Sequence, residues 1–149
     1  VQGDEPFQDT QSLLDLTAVF SDPEVKVASM MFSISAAEAQ NPNAVKVVLD
    51  KNNFALYFSR SPIPYVREKA VEVSYWKHVG IYAYRKEVLL AFTGLPKSFL
   101  ETTEMLEQLR LLENGVNIKM VPTTHQAIAV DTKEDLERAL AWFMGRIKF

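Results

Sequence analysis

Apolar residues along this chain recur at two spacings, and these separate predicted helices from predicted strands. The spacing over 10–20 predicts a helix, which Asp9 or Thr10 could cap. The stretch 25–32 is rich in Val and Met and is typical of a strand. The full predicted order is a helix at 10–20, strands at 25–32, 45–49, 54–59 and 77–84, a short helix at 86–92, a helix from Ser98 towards Gly115, strands at 118–121 and 127–130, and a last helix opened by Thr132 and Asp135. This order indicates a mixed sheet with helices packed on it.

The residue types at turns and helix starts, and the alternation of side chains along a strand, make three of these predictions more specific. The polar stretch 50–53 has the residue types of a tight turn, so the strands on either side of it form a predicted hairpin. Ser98 and Glu101 have the spacing of a capping box at the start of a helix. Alternate residues of a strand share a face. In the strand 77–84, one face therefore carries His78, Gly80, Tyr82 and Tyr84.

Composition places the chain among ordinary folded proteins. Its 149 residues are one domain's worth and 48% of them are apolar, so a single domain over 1–149 with a buried core is expected. The net charge of −3 lacks the basic excess of a nucleic-acid binder. The chain has no cysteine, which excludes disulfides and thiolate metal sites, and its apolar runs are too short to span a membrane. A cytoplasmic setting is expected.

Two aspartates stand where strand ends pass into turns or helices. The opening sequence VQGDEP looks like a strand end entering a turn, because glycine permits a tight backbone and proline ends the ladder. Asp4 lies in that turn, and Asp131 follows the strand predicted at 127–130. Two carboxylates at one edge of a sheet suit Mg²⁺, whereas the alternative is that each aspartate only caps a turn or a helix. Because the strand that should precede Asp4 is absent, we interpret the chain as the C-terminal part of a larger enzyme.

Three polar rings share one face of the strand 77–84. His78, Tyr82 and Tyr84 either hydrogen-bond within the core as a structural cluster or border a pocket. A pocket lined in this way suits a ligand that carries many hydroxyl groups.

Acidic residues recur at intervals of three in the helix predicted from Ser98. This spacing brings Glu101, Glu104 and Glu107 near one another on the helix surface. They form a solvated acidic face, or one carboxylate turns inward with Gln108 to hold sugar hydroxyls. Arg60, at the end of a strand, either binds a carboxylate bidentately or is an ordinary surface residue.

Five separated blocks of the sequence resemble one family in the family's own order. The first block, Gln2-Gly3-Asp4-Glu5-Pro6, resembles the central motif of the 3-deoxy-manno-octulosonate cytidylyltransferases, or CMP-Kdo synthetases. The other matching blocks are 45–49 with 55–64 (VKVVL and ALYFSRSPIP), 77–82 with 84–85 (KHVGIY and YR), 104–110 (EMLEQLR), and 130–132 with 134–136 (VDT and EDL). Together they are spread over nearly the whole length of the chain.

The resemblance implies a fold, a reaction and a set of site residues. The implied fold is the Rossmann-like α/β/α nucleotide-sugar transferase fold with a mixed sheet, incomplete at its N-terminus. The implied activity is cytidylyl transfer from CTP to the sugar acid Kdo, with release of pyrophosphate, in lipopolysaccharide biosynthesis by a cytoplasmic homodimer. On this sequence, Asp4 and Asp131 would be the catalytic ligands of Mg²⁺. The residues that would contact Kdo are Gln2, Arg60, His78, Tyr82, Glu107 and Gln108.

The chain also departs from the family's pattern, and two other functions stay open. The family's N-terminal half, which grips the CTP phosphates and the cytosine, is not in this sequence, so the polypeptide alone is expected neither to bind CTP nor to turn over. Ala129 stands where the family has glycine before Val130-Asp131-Thr132. One alternative is a cytidylyltransferase for a related sugar acid such as an amino-Kdo. The other is a non-catalytic dimerisation or sugar-acid-binding module.

Overall fold

The computed structural model describes residues 9–68 and 73–124, together with 136–137 and 140–141. These residues form four α-helices and five strands, with short 3-10 helical turns at Val19–Ser21 and Glu38–Gln40. In chain order, the elements are α1 (Thr10–Ala18), β1 (Val27–Ile34), β2 (Lys46–Leu49), β3 (Ala55–Ser59), β4 (Tyr75–Tyr84), α2 (Lys86–Thr93), α3 (Phe99–Glu104), α4 (Gln108–Glu113) and β5 (Ile118–Pro122). The predicted strand at 127–130 and the start of the predicted last helix lie outside the described residues.

The five strands form one mixed sheet in the order β3-β2-β4-β1-β5. The pairs β3–β2, β2–β4 and β4–β1 are antiparallel, and β1 pairs with β5 in parallel. The mixed sheet is therefore confirmed, although β1 begins and ends two residues later than predicted. The predicted hairpin is confirmed as well, because Asp50 Oδ1 accepts hydrogen bonds from the backbone of Asn52 and Phe54 and so closes the turn.

Helices cover both faces of the sheet because β1, near its centre, buries side chains on both sides. Ala28, Met30 and Phe32 point into one apolar cluster, which Leu16 of α1 completes. Val27 and Met31 point into the other, which contains Leu109 and Leu111 of α4. The alternation predicted for β4 holds in the same way: Val79 and Ile81 pack in the first cluster, and Tyr82 and Tyr84 pack against the second. The result is a layered α/β/α arrangement.

One irregularity interrupts the pairing of the two longest strands. Ser29 lies opposite Tyr82, but Met30, the next residue of β1, lies opposite Val79. Two residues of β4 thus bulge out of the ladder between these pairs, at Gly80 and Ile81. The bulge leaves His78 and Tyr82 on the same face of the sheet.

The single helix predicted from Ser98 towards Gly115 is wrong. The chain forms α3 and α4 instead, and Met105 between them adopts a left-handed backbone with φ of 55°. At this break the side chain of Glu104, the last residue of α3, is bound to the end of β3, where it accepts hydrogen bonds from Ser59 and Arg60. The predicted stop is correct: Gly115 has φ of 73°, which glycine adopts readily.

Candidate functional site

An open cavity of about 240 Å³ lies between β4 and the junction of α3 with α4. Of the predicted Kdo contacts that the structure describes, four border this cavity: His78, Tyr82, Glu107 and Gln108. The remaining lining residues are Val45, Gly80, Met105 and Leu106. The wall from β4 is called the strand wall, and the wall from Met105 to Gln108 is called the junction wall. Polar groups from two distant parts of the chain thus meet around one space, as ligand sites require.

The strand wall belongs to a row of rings along one face of β4. The ring centroids of His78 lie 5.0 Å from Phe58 and 5.4 Å from Tyr82, and Tyr82 lies 5.8 Å from Tyr84. Contacts at these distances restrict ring rotation and add to the energy of burial. The strand wall is therefore a rigid surface whose polar atoms are held in place.

His78 is an uncharged group in this wall. Its side chain is buried, and burial, with a smaller contribution from the charge of Lys77, lowers the pKa of the imidazole to about 3. Its Nε2 atom lies 2.9 Å from the hydroxyl of Ser29. At neutral pH the ring can donate one hydrogen bond and accept another, but it carries no charge.

The tyrosines of the same wall also stay protonated. Burial raises the pKa of Tyr82 well above its usual value, and neighbouring Tyr84 and Glu107 act in the same direction. Burial, followed by the charge of Glu107, raises the pKa of Tyr84 to about 12. Tyr82, which lines the cavity, therefore offers a neutral hydroxyl that can both donate and accept.

The junction wall contributes a carboxylate and an amide. Glu107 immediately precedes α4 and is exposed, whereas the side chain of Gln108 is 7% exposed. A carboxylate only accepts hydrogen bonds, and an amide both donates and accepts. The two walls together present the mixture of donors and acceptors that a ligand rich in hydroxyl groups would need.

Arg60 lies behind the junction wall and does not line the cavity. Its Nε donates to the carbonyl of Glu104 at 2.9 Å, and its Nη1 donates to the carbonyl of Pro42 at 3.1 Å. The carboxylate of Glu104 accepts from the Ser59 hydroxyl at 2.6 Å and from the Arg60 backbone at 2.9 Å. Arg60 and Glu104 thus fix the backbone that leads into Glu107, and the contribution of Glu104 was missed by the sequence interpretation.

Of the two alternatives for Glu101, Glu104 and Glu107, the solvated acidic face is not formed, because the helix ends between the second and third of them. Glu107 and Gln108 both line the cavity instead. Glu101 is buried and receives two hydrogen bonds from Arg110, at 2.7 and 2.5 Å. These bonds lower the pKa of Glu101, although burial opposes them. The Arg110 guanidinium also lies 4.7 Å from the ring centre of Phe92. The pair ties α3 to α4, and Glu101 also accepts a hydrogen bond from the backbone of Ser98, which is half of the predicted capping box.

A second buried charge was also missed. The side chain of Lys46 is fully buried, and its Nζ donates to the carbonyls of Asn41 at 2.9 Å and Arg60 at 2.6 Å. It joins the start of β2 to the end of β3. A lysine at the start of a short hairpin strand carries no sequence signal that separates this role from an exposed position.

The predicted metal ligands Asp4 and Asp131, and the predicted contact Gln2, lie outside the described residues. Within 9–68, 73–124 and the four later residues, no group of three or more acidic or histidine side chains could hold a metal ion. In the same part of the chain, no helix is both long enough and apolar enough to cross a bilayer.

A family model and curated relatives identify the proteins that this chain resembles. The model described as "Cytidylyltransferase" matches residues 1–118. A 3-deoxy-manno-octulosonate cytidylyltransferase of Flavobacterium johnsoniae is 57% identical over 145 residues, which are 95% of this chain and 59% of that protein. The one from Nitratidesulfovibrio vulgaris strain DP4 is 51% identical over 140 residues, covering 92% of this chain and 56% of the relative. The chain thus spans less than two thirds of these relatives.

Solved structures agree on the fold. A CMP:2-keto-3-deoxy-manno-octonic acid synthetase in complex with CTP is 44% identical, with a TM-score of 0.92 over 99% of this chain and 61% of the other. A putative glucose-1-phosphate thymidylyltransferase from Bacillus anthracis, in complex with a sucrose, is 18% identical with a TM-score of 0.58, over 99% of this chain and 54% of the other. The second likeness concerns the fold alone. The expected Rossmann-like nucleotide-sugar transferase fold is confirmed by the first.

Proposed function

Since the chain belongs to the cytidylyltransferase family, we propose that the full-length protein transfers a cytidylyl group from CTP to 3-deoxy-manno-octulosonate (Kdo) and releases pyrophosphate. The family membership supports the transfer of the cytidylyl group. The choice of Kdo is supported by the names of the relatives, which are 57% and 51% identical to the chain. The product would be CMP-Kdo, a precursor for lipopolysaccharide assembly.

The observation that carries the proposal is the convergence of four predicted Kdo contacts on one cavity. His78 and Tyr82 come from β4, and Glu107 and Gln108 come from the start of α4, about 25 to 30 residues later in the chain. Kdo is a sugar acid with several hydroxyl groups, each of which both donates and accepts. A neutral imidazole, a phenol, a carboxylate and an amide match such a ligand group by group.

The reaction itself needs little covalent chemistry from the protein. A hydroxyl oxygen of Kdo attacks the α-phosphorus of CTP, the new O–P bond forms, the bond to the pyrophosphate oxygen breaks, and the hydroxyl proton is released. The hydroxyl is a weak nucleophile and must approach a negatively charged phosphate, so its position and the local charge set the rate. The residues around the cavity would hold Kdo so that this hydroxyl faces the phosphate.

We assign the magnesium ligands to Asp4 and Asp131, because two carboxylates are a donor set that Mg²⁺ takes together with substrate oxygens. A bound Mg²⁺ would supply positive charge that lowers the pKa of the attacking hydroxyl and offsets the charge of the phosphate. Gln2 is proposed as a further Kdo contact.

Arg60 is also proposed to contact Kdo. It does not line the cavity, so the proposed contact is with a part of Kdo that extends beyond the cavity. Two of its nitrogens already bind backbone carbonyls, but Nη2 lies 3.5 Å from the carbonyl of Met105, at the limit of a hydrogen bond. That nitrogen is the one best able to bind the carboxylate of the sugar acid. Homodimerisation and a cytoplasmic location rest on the family resemblance and stay predictions.

The test is an assay of the full-length protein with CTP, Mg²⁺ and Kdo. Pyrophosphate release and the mass of the nucleotide sugar are followed, and parallel reactions contain EDTA or an amino-substituted Kdo. The proposal expects CMP-Kdo to form, EDTA to abolish its formation, and the amino sugar to react less efficiently. Release of pyrophosphate only with the amino sugar would contradict the assignment of Kdo.

A further inference from the structure

The hydroxyl of Ser29 sits inside the bulge between β1 and β4. Ser29 is fully buried, and its Oγ lies 2.8 Å from the carbonyl oxygen of Ile81, 3.0 Å from that of Val79 and 2.9 Å from Nε2 of His78. A bulge leaves strand carbonyls without their usual ladder partners. The serine thus supplies a donor where the ladder is interrupted.

These three distances fix where the protons are. A serine hydroxyl has a single hydrogen, and the two carbonyl oxygens can only accept. If the hydroxyl gave its hydrogen to His78, its oxygen would face two carbonyl oxygens at 2.8 and 3.0 Å with no hydrogen between them. The arrangement that accounts for all three contacts has the single Ser29 hydrogen shared between the two carbonyl oxygens and Nε2–H of His78 donating to the Ser29 oxygen.

We propose that Ser29 is a positioning residue that holds His78 in the Nε2–H tautomer, so that the unprotonated Nδ1 accepts a hydrogen bond from a hydroxyl of the sugar acid. The identity of the ligand rests on the proposed function, whereas the tautomer rests on the contacts of Ser29 alone. An unprotonated Nδ1 at this place favours a ligand group that can donate a hydrogen bond, such as a hydroxyl, over a ligand group that can only accept one.

Three further observations agree with this assignment. Nδ1 of His78 makes no hydrogen bond to any residue that the structure describes, and the ring lines the cavity. Phe58 and Tyr82 contact the ring and restrict its rotation. Burial keeps the ring neutral, because the pKa of His78 is lowered to about 3. An acceptor that is neutral, fixed in orientation and not bonded to any of the described residues is well suited to a sugar hydroxyl.

The tautomer is tested by nitrogen NMR of the full-length protein with ¹⁵N-labelled histidine, and the His78→Gln variant assigns the signals. The expected result is a protonated, pyrrole-like Nε2 and a pyridine-like Nδ1 in the free protein, with a further shift of Nδ1 when Kdo binds. A protonated Nδ1 in the free protein would overturn the proposal whatever the protein's activity. This measurement uses the native protein and does not depend on whether a Ser29 variant folds.

Kinetics test the consequence for the ligand. In Ser29→Ala the KM for Kdo is expected to rise about tenfold, with the KM for CTP and kcat changed less than about threefold, because a ground-state contact is lost. Ser29→Thr should restore much of the affinity, and Ser33→Ala, at an exposed position of the same strand, is the matched control. Unchanged KM for Kdo in a folded Ser29→Ala would overturn the positioning role. If the wild-type protein transfers nothing to Kdo, the proposed function fails, and the NMR result still decides the tautomer.

Discussion

The two walls of the cavity are built in opposite ways. The strand wall is uncharged, and its rings are fixed by one another and by the sheet; His78 is only 9% exposed, and Gly80 and Tyr82 are partly buried. The junction wall is mixed: Met105, which is 74% exposed, and Glu107 are exposed, whereas Leu106 and Gln108 are buried, and the backbone position of this wall depends on side chains at the end of β3. One wall is therefore stabilised by burial, and the other by hydrogen bonds between residues that are distant in sequence. Changes of pH and substitution should affect the two walls differently.

The largest expected effect concerns pH and the strand wall. The folded-state pKa of His78 is about 3, below its ordinary value of 6.5. The neutral ring therefore contributes stability that is fully present above pH 6.5 and is lost as pH falls from 6.5 towards 3, at up to about 1.4 kcal/mol per pH unit. The groups that act on its charge are Lys77 and the surrounding rings.

Denaturant unfolding of the full-length protein at a series of pH values measures this slope. His78→Gln should remove it over this range, while wild type and an exposed control such as Lys86→Gln should keep it. Equal slopes for the His78 variant and wild type would mean that the ring titrates normally in the folded protein.

A somewhat smaller effect is expected for the junction wall. Glu104→Ala removes the acceptor for the Ser59 hydroxyl and for the Arg60 backbone, so the free energy of unfolding should fall by about 2 kcal/mol. Because the same contacts place Met105 and Glu107, the KM for Kdo should rise about tenfold. Unfolding and steady-state kinetics are compared with Glu87→Ala, an exposed glutamate of α2. A Glu104 variant that matches this control in both measurements would show that the junction is held by other contacts.

The smallest effect is expected at the Glu101–Arg110 pair behind the junction. Arg110 lowers the pKa of Glu101 below 4.5, so the ionised carboxylate contributes stability that is present above pH 4.5 and is lost as pH falls through the lower, folded-state value. Glu101→Gln should cost about 1 kcal/mol at neutral pH and make the acid side of the stability profile shallower. Melting temperatures measured below pH 5 check this. A variant whose melting temperature falls more steeply with pH than that of wild type would contradict the assigned direction of the pKa shift.

The difference between the walls also explains what the sequence could predict. The hairpin turn at 50–53 and the face of β4 follow from local chemistry and alternation, and both were predicted correctly. The break at Met105 has no local sequence signal, and the hydrogen bonds that hold Glu104 beside it come from Ser59 and Arg60, some 45 residues earlier in the chain. The helical spacing of Glu101, Glu104 and Glu107 therefore could not decide between an acidic face and a carboxylate turned inward.

The hydrogen-bond partners of individual side chains were harder to predict from the sequence than the membership of residues in the ligand site. The resemblance named four residues that line one cavity, yet it gave no sign of Ser29, whose role depends on a two-residue bulge in the partner strand. A serine within the apolar strand 27–34 is a weak signal, since serine also occurs at Ser33 of the same strand on an exposed position. Hydrogen-bond partners across strands require the register, which a single sequence does not supply.

The central claim is that this cavity binds the sugar acid, and one kinetic comparison tests it most directly. Glu107→Gln removes the charge of an exposed residue of the junction wall, and Glu87→Gln makes the same change on the surface of α2. For the full-length protein, kcat/KM for Kdo is predicted to fall at least tenfold in the first variant and to stay within about twofold of wild type in the second, with the KM for CTP unchanged in both. Equal values of kcat/KM for Kdo in the two variants would contradict the claim.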